Sequence, residues 1–176
     1  MPLQINQYSS TMASKLYIET YGCQMNVADS ELVVSILQKQ GYELTQDYQE
    51  ADLVLVNTCA VRDNAEQRVF GRLDVFRTLK KEKPEMKLGV IGCMAQRMGD
   101  EIIRRNKAVD LIAGPDSYRK LPDMLEHIAA KGPQVDTELS TTETYQGVCP
   151  ERMDNKGVSA FISIMRGCNN FCTYCV

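Results

Sequence analysis

The sequence contains no apolar stretch near the ~18 to 20 residues that a membrane-spanning helix requires. No membrane-spanning helix is therefore expected within it. Its first 14 residues, MPLQINQYSSTMAS, lack the basic and apolar regions of a secretory leader and read as a disordered extension. A basic surplus is also missing. Twenty Lys and Arg stand against 23 Asp and Glu, a net charge of −3, so the usual electrostatic footprint of a nucleic-acid-binding protein is absent. Basic residues gather only locally, at Arg72, Arg77, Lys80, Lys81, Lys83 and Lys87 and again at Arg104, Arg105 and Lys107. Solvated helix faces account for them most simply. Histidine occurs once, as His127 inside a helical pattern, and reads as a surface or half-buried side chain.

Cysteine, by contrast, occurs seven times in the 176 residues. An odd count without a leader argues against a disulfide framework and points to a cytoplasmic protein with reduced thiols. Metal binding or redox chemistry is the better default. The remaining composition, 44% hydrophobic and 24% charged, is ordinary for a globular chain.

Residues 15–131 alternate short apolar runs with helical patterns, which predicts an α/β domain with a parallel, flavodoxin- or Rossmann-like sheet of four to five strands and flanking helices. Strands are predicted at 16–20, 53–57, 87–91 and 109–113. Helices are predicted at 28–40 (capped by Asp29 or Ser30), 63–82, 96–106 and from Pro115 to about Ala130. Residues 132–157 lose periodicity and read as a linker. Residues 158–165 read as one more strand, so 158–176 is the start of a second, truncated domain.

Three cysteines follow three of these strands: Cys23 after LYIETYG, Cys59 after LVLVNT and Cys93 after KLGVIG. They are 36 and 34 residues apart, about one strand–helix repeat. Parallel strands with right-handed crossovers bring such loops to one edge, and ligand sites of open α/β sheets lie outside the carboxyl ends of the strands. Each cysteine also precedes a helix, whose N-terminus favours the thiolate. Gly22 and Gly92 permit sharp turns before two of them. One buried cysteine is easily a small hydrophobe; three in register are not. A structural zinc site wants four ligands, and no fourth cysteine or histidine occupies a matching loop. A 4Fe–4S cluster held by three thiolates leaves one iron open.

A second set, Cys168, Cys172 and Cys175 in RGCNNFCTYC, has the spacing C-x₃-C-x₂-C directly after the last predicted strand. One loop of this kind can bind three irons of a cubane, half a zinc knuckle being the alternative. Cys149 matches no pattern. Asn26, Asn57 and Arg62 lie in the motif loops, where they either hydrogen-bond a cluster or substrate or cap the loops.

With YGCQMN (21–26), NTCAVRDNAE (57–66), IGCMAQ (91–96) and RGCNNFCTYC (166–175), the chain resembles the N-terminal portion of the radical-SAM methylthiotransferases that act on tRNA. YGCQMN and NTCAVR resemble the members that modify N6-isopentenyladenosine; those acting on threonylcarbamoyl-adenosine or on a ribosomal protein are the alternative. The resemblance implies methylthiolation at C2 of that adenine, at position 37 beside the anticodon, with S-adenosyl-L-methionine and two 4Fe–4S clusters. Cys23, Cys59 and Cys93 would hold the auxiliary, sulfur-donating cluster. Cys168, Cys172 and Cys175 would hold the cluster that generates a 5′-deoxyadenosyl radical, with Tyr174 near the adenine of the cofactor. It further implies a cytoplasmic monomer that takes a tRNA bearing N6-isopentenyladenosine and a low-potential reductant such as flavodoxin or ferredoxin. The rest of the partial barrel and its cofactor-gripping strand ends are absent, so this chain alone is expected not to turn over. Two other readings are a non-catalytic, metal-stabilised RNA-associated module and a flavin-binding redox domain. Against the latter, the first strand–helix loop has no run of hydroxyl residues suited to a phosphate.

Overall fold

Strand β1 (Ser14–Tyr21) and helix α1 (Gln24–Gln38) open the fold, followed by β2 (Tyr42–Leu44) and β3 (Leu53–Thr58). The next elements are α2 (Asp63–Glu82), β4 (Lys87–Gly92), α3 (Cys93–Arg105) and β5 (Leu111–Ala113). A 3-10 turn at Tyr118–Lys120, α4 (Leu121–Lys131) and β6 (Gln134–Asp136) complete it. The structure, a computed structural model, describes residues 13–59 and 63–150 and, beyond those, only residues 152, 153, 163, 170, 172 and 173.

All strand pairings are parallel, in the order β2-β1-β3-β4-β5-β6. The order reverses between β1 and β3, the switch point at which doubly wound sheets open a crevice. The central strand β3, LVLVNT, is buried along its whole length, as its unbroken apolar run requires of a strand covered on both faces. Its side chains alternate. Leu53 and Leu55 pack with Leu32, Val33, Ile36 and Leu37 of α1 and Leu121, Met124 and Leu125 of α4. Val54 and Val56 pack on the other face with Val69, Leu73 and Phe76 of α2 and Met94 and Ile102 of α3. Two helices thus cover each face.

The strand–helix alternation read from sequence is borne out, and α2 has its expected bounds. The sheet has six strands rather than four to five, because β2 and β6 are three-residue strands at its two edges. Helices α1 and α3 begin four and three residues earlier than expected, since each starts directly after or at a cysteine. Asp29 and Ser30 consequently lie inside α1 as buried residues instead of capping it. The span 132–157 also holds more structure than a linker: β6 pairs with β5, and Tyr145 is buried in the core. The Tyr145 hydroxyl accepts the Tyr118 backbone N–H at 2.9 Å and donates to the Pro115 carbonyl at 2.7 Å, while the two tyrosine rings stack at 5.8 Å. The strand expected at 158–165 lies almost wholly outside the described residues.

Among the described residues no helix is long and apolar enough to cross a membrane. Much of the basic clustering is consumed internally. Arg72 pairs with Glu19, Arg77 with Asp74, Lys80 with Asp110, Lys83 with Asp52 and Arg105 with Glu101. Lys87 donates to the Leu125 carbonyl. Arg72, Lys80, Lys83 and Lys87 are thereby tied to the fold, while the pairs of Arg77 and Arg105 are exposed and lie within their own helices.

Candidate functional site

The register of the three longest strands fixes the site. Tyr21 of β1 is paired with Thr58 of β3, and Thr58 in turn with Gly92 of β4. Cys59 and Cys93 are therefore the first residues past the ladder, and Cys23 the second. Adjacent strands lie about 4.8 Å apart, so the three strand ends fall within about 10 Å of one another. Two of them flank the switch-point crevice. Glycine makes the turns: Gly22 has φ +149 and Gly92 φ +92. A β-carbon on Gly22 would lie 2.9 Å from Cβ of Cys59, which shows how closely the Cys23 loop passes over β3.

All three thiols are free; Cys23 and Cys93 are exposed and Cys59 half-buried. None is sealed in the core. Cys93 senses the other two electrostatically. Its thiol pKa is raised, first by burial of the inner side of the residue against the sheet edge, then by the neighbouring Cys59, Asp29 and Cys23. This reverses the sequence expectation for Cys93. Burial and the neighbouring Cys59, Asp29 and Cys23 outweigh the helix start at which Cys93 sits. Tyr21, two residues before Cys23, hydrogen-bonds to Glu19, and its phenol is pushed up to about 12 by burial and by that carboxylate. It stays protonated at neutral pH.

Beneath the thiols lies a buried polar floor. Asn57 is 0% and Asn26 2% exposed. The Asn57 amide donates to the Asn26 carbonyl at 2.8 Å and to Ser30 Oγ at 2.9 Å, and Thr20 Oγ1 lies 2.7 Å from Ser30 Oγ. Asn26 Nδ2 donates to Asn57 Oδ1 at 3.1 Å, and Asn26 Oδ1 accepts the Cys23 backbone N–H at 3.2 Å. Asp29 accepts from Tyr118 Oη at 3.2 Å. Asn26 and Asn57 thus tie the loops together, and Asn26 Oδ1 also accepts from the Cys23 thiol at 3.6 Å. Asp29, Ser30 and Thr20 were missed as members of this floor. The available signal was the spacing of Asn26, Asp29 and Ser30, which puts three polar residues on one face of α1.

Three thiolates are donors that both a zinc ion and an iron–sulfur cluster take. Among the described residues, no three Cys, His, Asp or Glu side chains are placed to hold a single metal ion. A tetrahedral zinc site would need sulfurs about 3.8 Å apart, given Zn–S bonds of ~2.3 Å. A cubane seats each thiolate on a different iron and so takes a wider triangle. Cys23, Cys59 and Cys93, just past three level strand ends, supply the thiolate donors that such a cluster takes.

Of the second cysteine set only Cys172 is among the described residues, as an exposed free thiol. Cys168, Cys175 and Tyr174 lie outside them, as does Arg62. Cys149 is exposed and unbridged. His127 is exposed, its Nδ1 2.7 Å from the Asp123 carbonyl oxygen.

Comparison with known proteins gives this rim a context. The family described as "Uncharacterized protein family UPF0004" matches residues 15–114, a span that contains all three loops and most of the sheet. The chain belongs to this family. Similar curated proteins carry the name tRNA-2-methylthio-N(6)-dimethylallyladenosine synthase. That of Amoebophilus asiaticus is 49% identical over 176 residues, which is 100% of this chain and 36% of the relative. That of Bacteroides thetaiotaomicron is 52% identical over 162 residues, 92% of this chain and 35% of the relative. That of Porphyromonas gingivalis is 53% identical over 165 residues, 92% of this chain and 35% of the relative. The chain spans about a third of the length of these relatives and corresponds to their N-terminal portion. Within the UPF0004 family, this chain is thus related to tRNA-modifying methylthiotransferases.

Proposed function

We propose that this chain is the sulfur-donor region of a methylthiotransferase that converts N6-isopentenyladenosine of tRNA to its 2-methylthio derivative. Cys23, Cys59 and Cys93 hold an auxiliary 4Fe–4S cluster. Cys168, Cys172 and Cys175 hold the radical-generating cluster, and Tyr174 lies beside bound S-adenosylmethionine. The observation that carries the reading is the ladder register, which ends three strands level with one another and sets a cysteine just past each end.

When bound, the two clusters and S-adenosylmethionine supply a radical able to take hydrogen from an inert aromatic C–H and the sulfur that replaces it. The protein supplies placement. Its glycine turns lift the thiols off the sheet edge, and the buried amide floor keeps their loops together. The exposed sides of Cys23 and Cys93 leave the outer face of the rim accessible to a substrate. The tRNA contact surface lies outside the paired basic clusters of this sheet. The working protein is a cytoplasmic monomer supplied with electrons by a low-potential protein such as flavodoxin or ferredoxin.

Anaerobic treatment of the full chain with iron and sulfide tests the assignment. A brown protein with about eight irons is expected when both clusters form. Replacing any one of Cys23, Cys59 or Cys93 by Ala should remove about half of the iron and of the visible absorption. A colourless protein that keeps one zinc per chain and melts on chelation would overturn the reading in favour of a metal-stabilised module.

A further inference from the structure

Asn57 lies two residues before Cys59, is fully buried, and is in contact with both other cysteine loops. It grips the Cys23 loop through Asn26, whose Oδ1 in turn holds the Cys23 backbone. It also abuts the glycine before Cys93, since a β-carbon on Gly92 would lie 2.4 Å from Asn57 Oδ1. The polarity of this chain of bonds is unambiguous. The Asn26 carbonyl can only accept, which turns Nδ2 of Asn57 toward it and leaves Oδ1 to accept from Asn26. The Cys23 N–H can only donate, which requires Asn26 Oδ1 at the other end. Neither amide can flip without breaking bonds at both ends.

A buried amide is a costly choice where leucine or valine would serve for stability alone. Fully satisfied polar networks fix one arrangement in place of a family of similar ones. Below three thiols that must meet one rigid group, such fixing has an obvious use. We propose that Asn57, acting through Asn26 and Gly92, is a positioning residue that sets the relative placement of the three thiols before any metal arrives. It neither ligates metal nor touches substrate, because its amide protons and oxygen are spent within the floor. The inference rests on the cluster reading for its purpose but not for its geometry.

Two measurements on the full chain test it. In the metal-free reduced protein, a short bifunctional thiol reagent should bridge Cys23 to Cys59, with the bridged peptide identified by mass spectrometry. Asn57→Ala and Asn26→Ala, assayed well below their melting midpoints, should lower that yield about tenfold relative to the parent, the scale of one lost buried hydrogen bond. Bridging of Cys59 to Cys93 should fall less in Asn26→Ala than in Asn57→Ala. After anaerobic reconstitution, the same variants should release iron to a chelator about tenfold faster than the parent and show a broadened electron paramagnetic resonance signal. Folded variants with the parent's bridging pattern and iron release would overturn the proposal. Should Asn57→Ala not fold, Asn57→Asp, which keeps the shape and the accepting oxygen but loses both donated bonds, takes its place and decides the question. A parent that gathers no iron at these cysteines would sink the cluster reading, while the bridging experiment would still judge Asn57.

Discussion

Replacing Gly92 by Ala probes the tightest point of the site. Gly92 has φ +92 and ψ −163, a region essentially reserved for glycine, and an L-residue there costs about 1–3 kcal/mol in backbone strain. The methyl group would also sit 2.4 Å from Asn57 Oδ1 and 2.7 Å from the Thr58 carbonyl. Thr58 is locked in the β3–β4 ladder, so Asn57 has to move and loses bonds worth about 1 kcal/mol each. Together these give a loss of about 3–5 kcal/mol, a large share of the ~5–15 kcal/mol that holds an ordinary domain folded. Gly132 provides the control: with φ +77 and ψ −161 it shares the backbone region of Gly92, but nothing lies within 4 Å of an added β-carbon, so the backbone strain of about 1–3 kcal/mol applies alone. At about 2–4 °C per kcal/mol for a chain of this size, Gly92→Ala should melt about 6–20 °C below the parent and Gly132→Ala about 2–12 °C below, the gap between the two being the crowding. Thermal and urea unfolding followed by circular dichroism measure both. If Gly92→Ala falls no further than Gly132→Ala, the crowding argument for the rim is wrong.

Tyr145→Phe should cost about 1–2 kcal/mol, because the bonds of its hydroxyl to the Tyr118 N–H and to the Pro115 carbonyl are removed. Hydrogen exchange at the Tyr118 amide should quicken accordingly. Arg72→Lys should destabilise by about 1–2 kcal/mol in urea titrations, since lysine cannot both pair with Glu19 at 2.7 Å and lie flat over the Tyr48 and Phe76 rings. The metal-free protein should also weaken in alkali. The Cys93 pKa is raised on folding, so its contribution is fully present below the unfolded thiol value of about 8.5 and is lost as pH rises through the higher folded value. Urea midpoints across that range should fall for the parent, and Cys93→Ser should flatten the fall.

The doubly wound plan was legible because each long strand and helix states its period locally. Leu53–Thr58 is an apolar run bounded by polar turns, and α2 carries Val69, Leu73 and Phe76 on one stripe. Strands β2 and β6 were not legible. Three residues carry no period, and their pairing depends on where β1 and β5 happen to end. The helix starts were misjudged for a chemical reason. Rules for caps look for Ser, Thr, Asp or Asn, whereas here Cys23 occupies the cap of α1 and Gly92 that of α3. The meeting of three cysteine loops at one sheet edge was legible from their spacing. The floor that holds them was not, because Asn26, Ser30 and Asn57 reveal their partnership only when α1 and β3 are in contact.

The level ending of β1, β3 and β4 also constrains how the gene can change length. One residue inserted into any of these strands would carry its cysteine about 3.3 Å along the strand and turn the pleat to the opposite face, taking one sulfur away from its companions. Residues added at the amino ends, such as the turn between β2 and β3 or the loop after α2, would leave all three sulfurs where they are. Length variation among descendants of this sequence should accordingly collect at that far end and spare the short tracts Leu16–Cys23, Leu53–Cys59 and Lys87–Cys93.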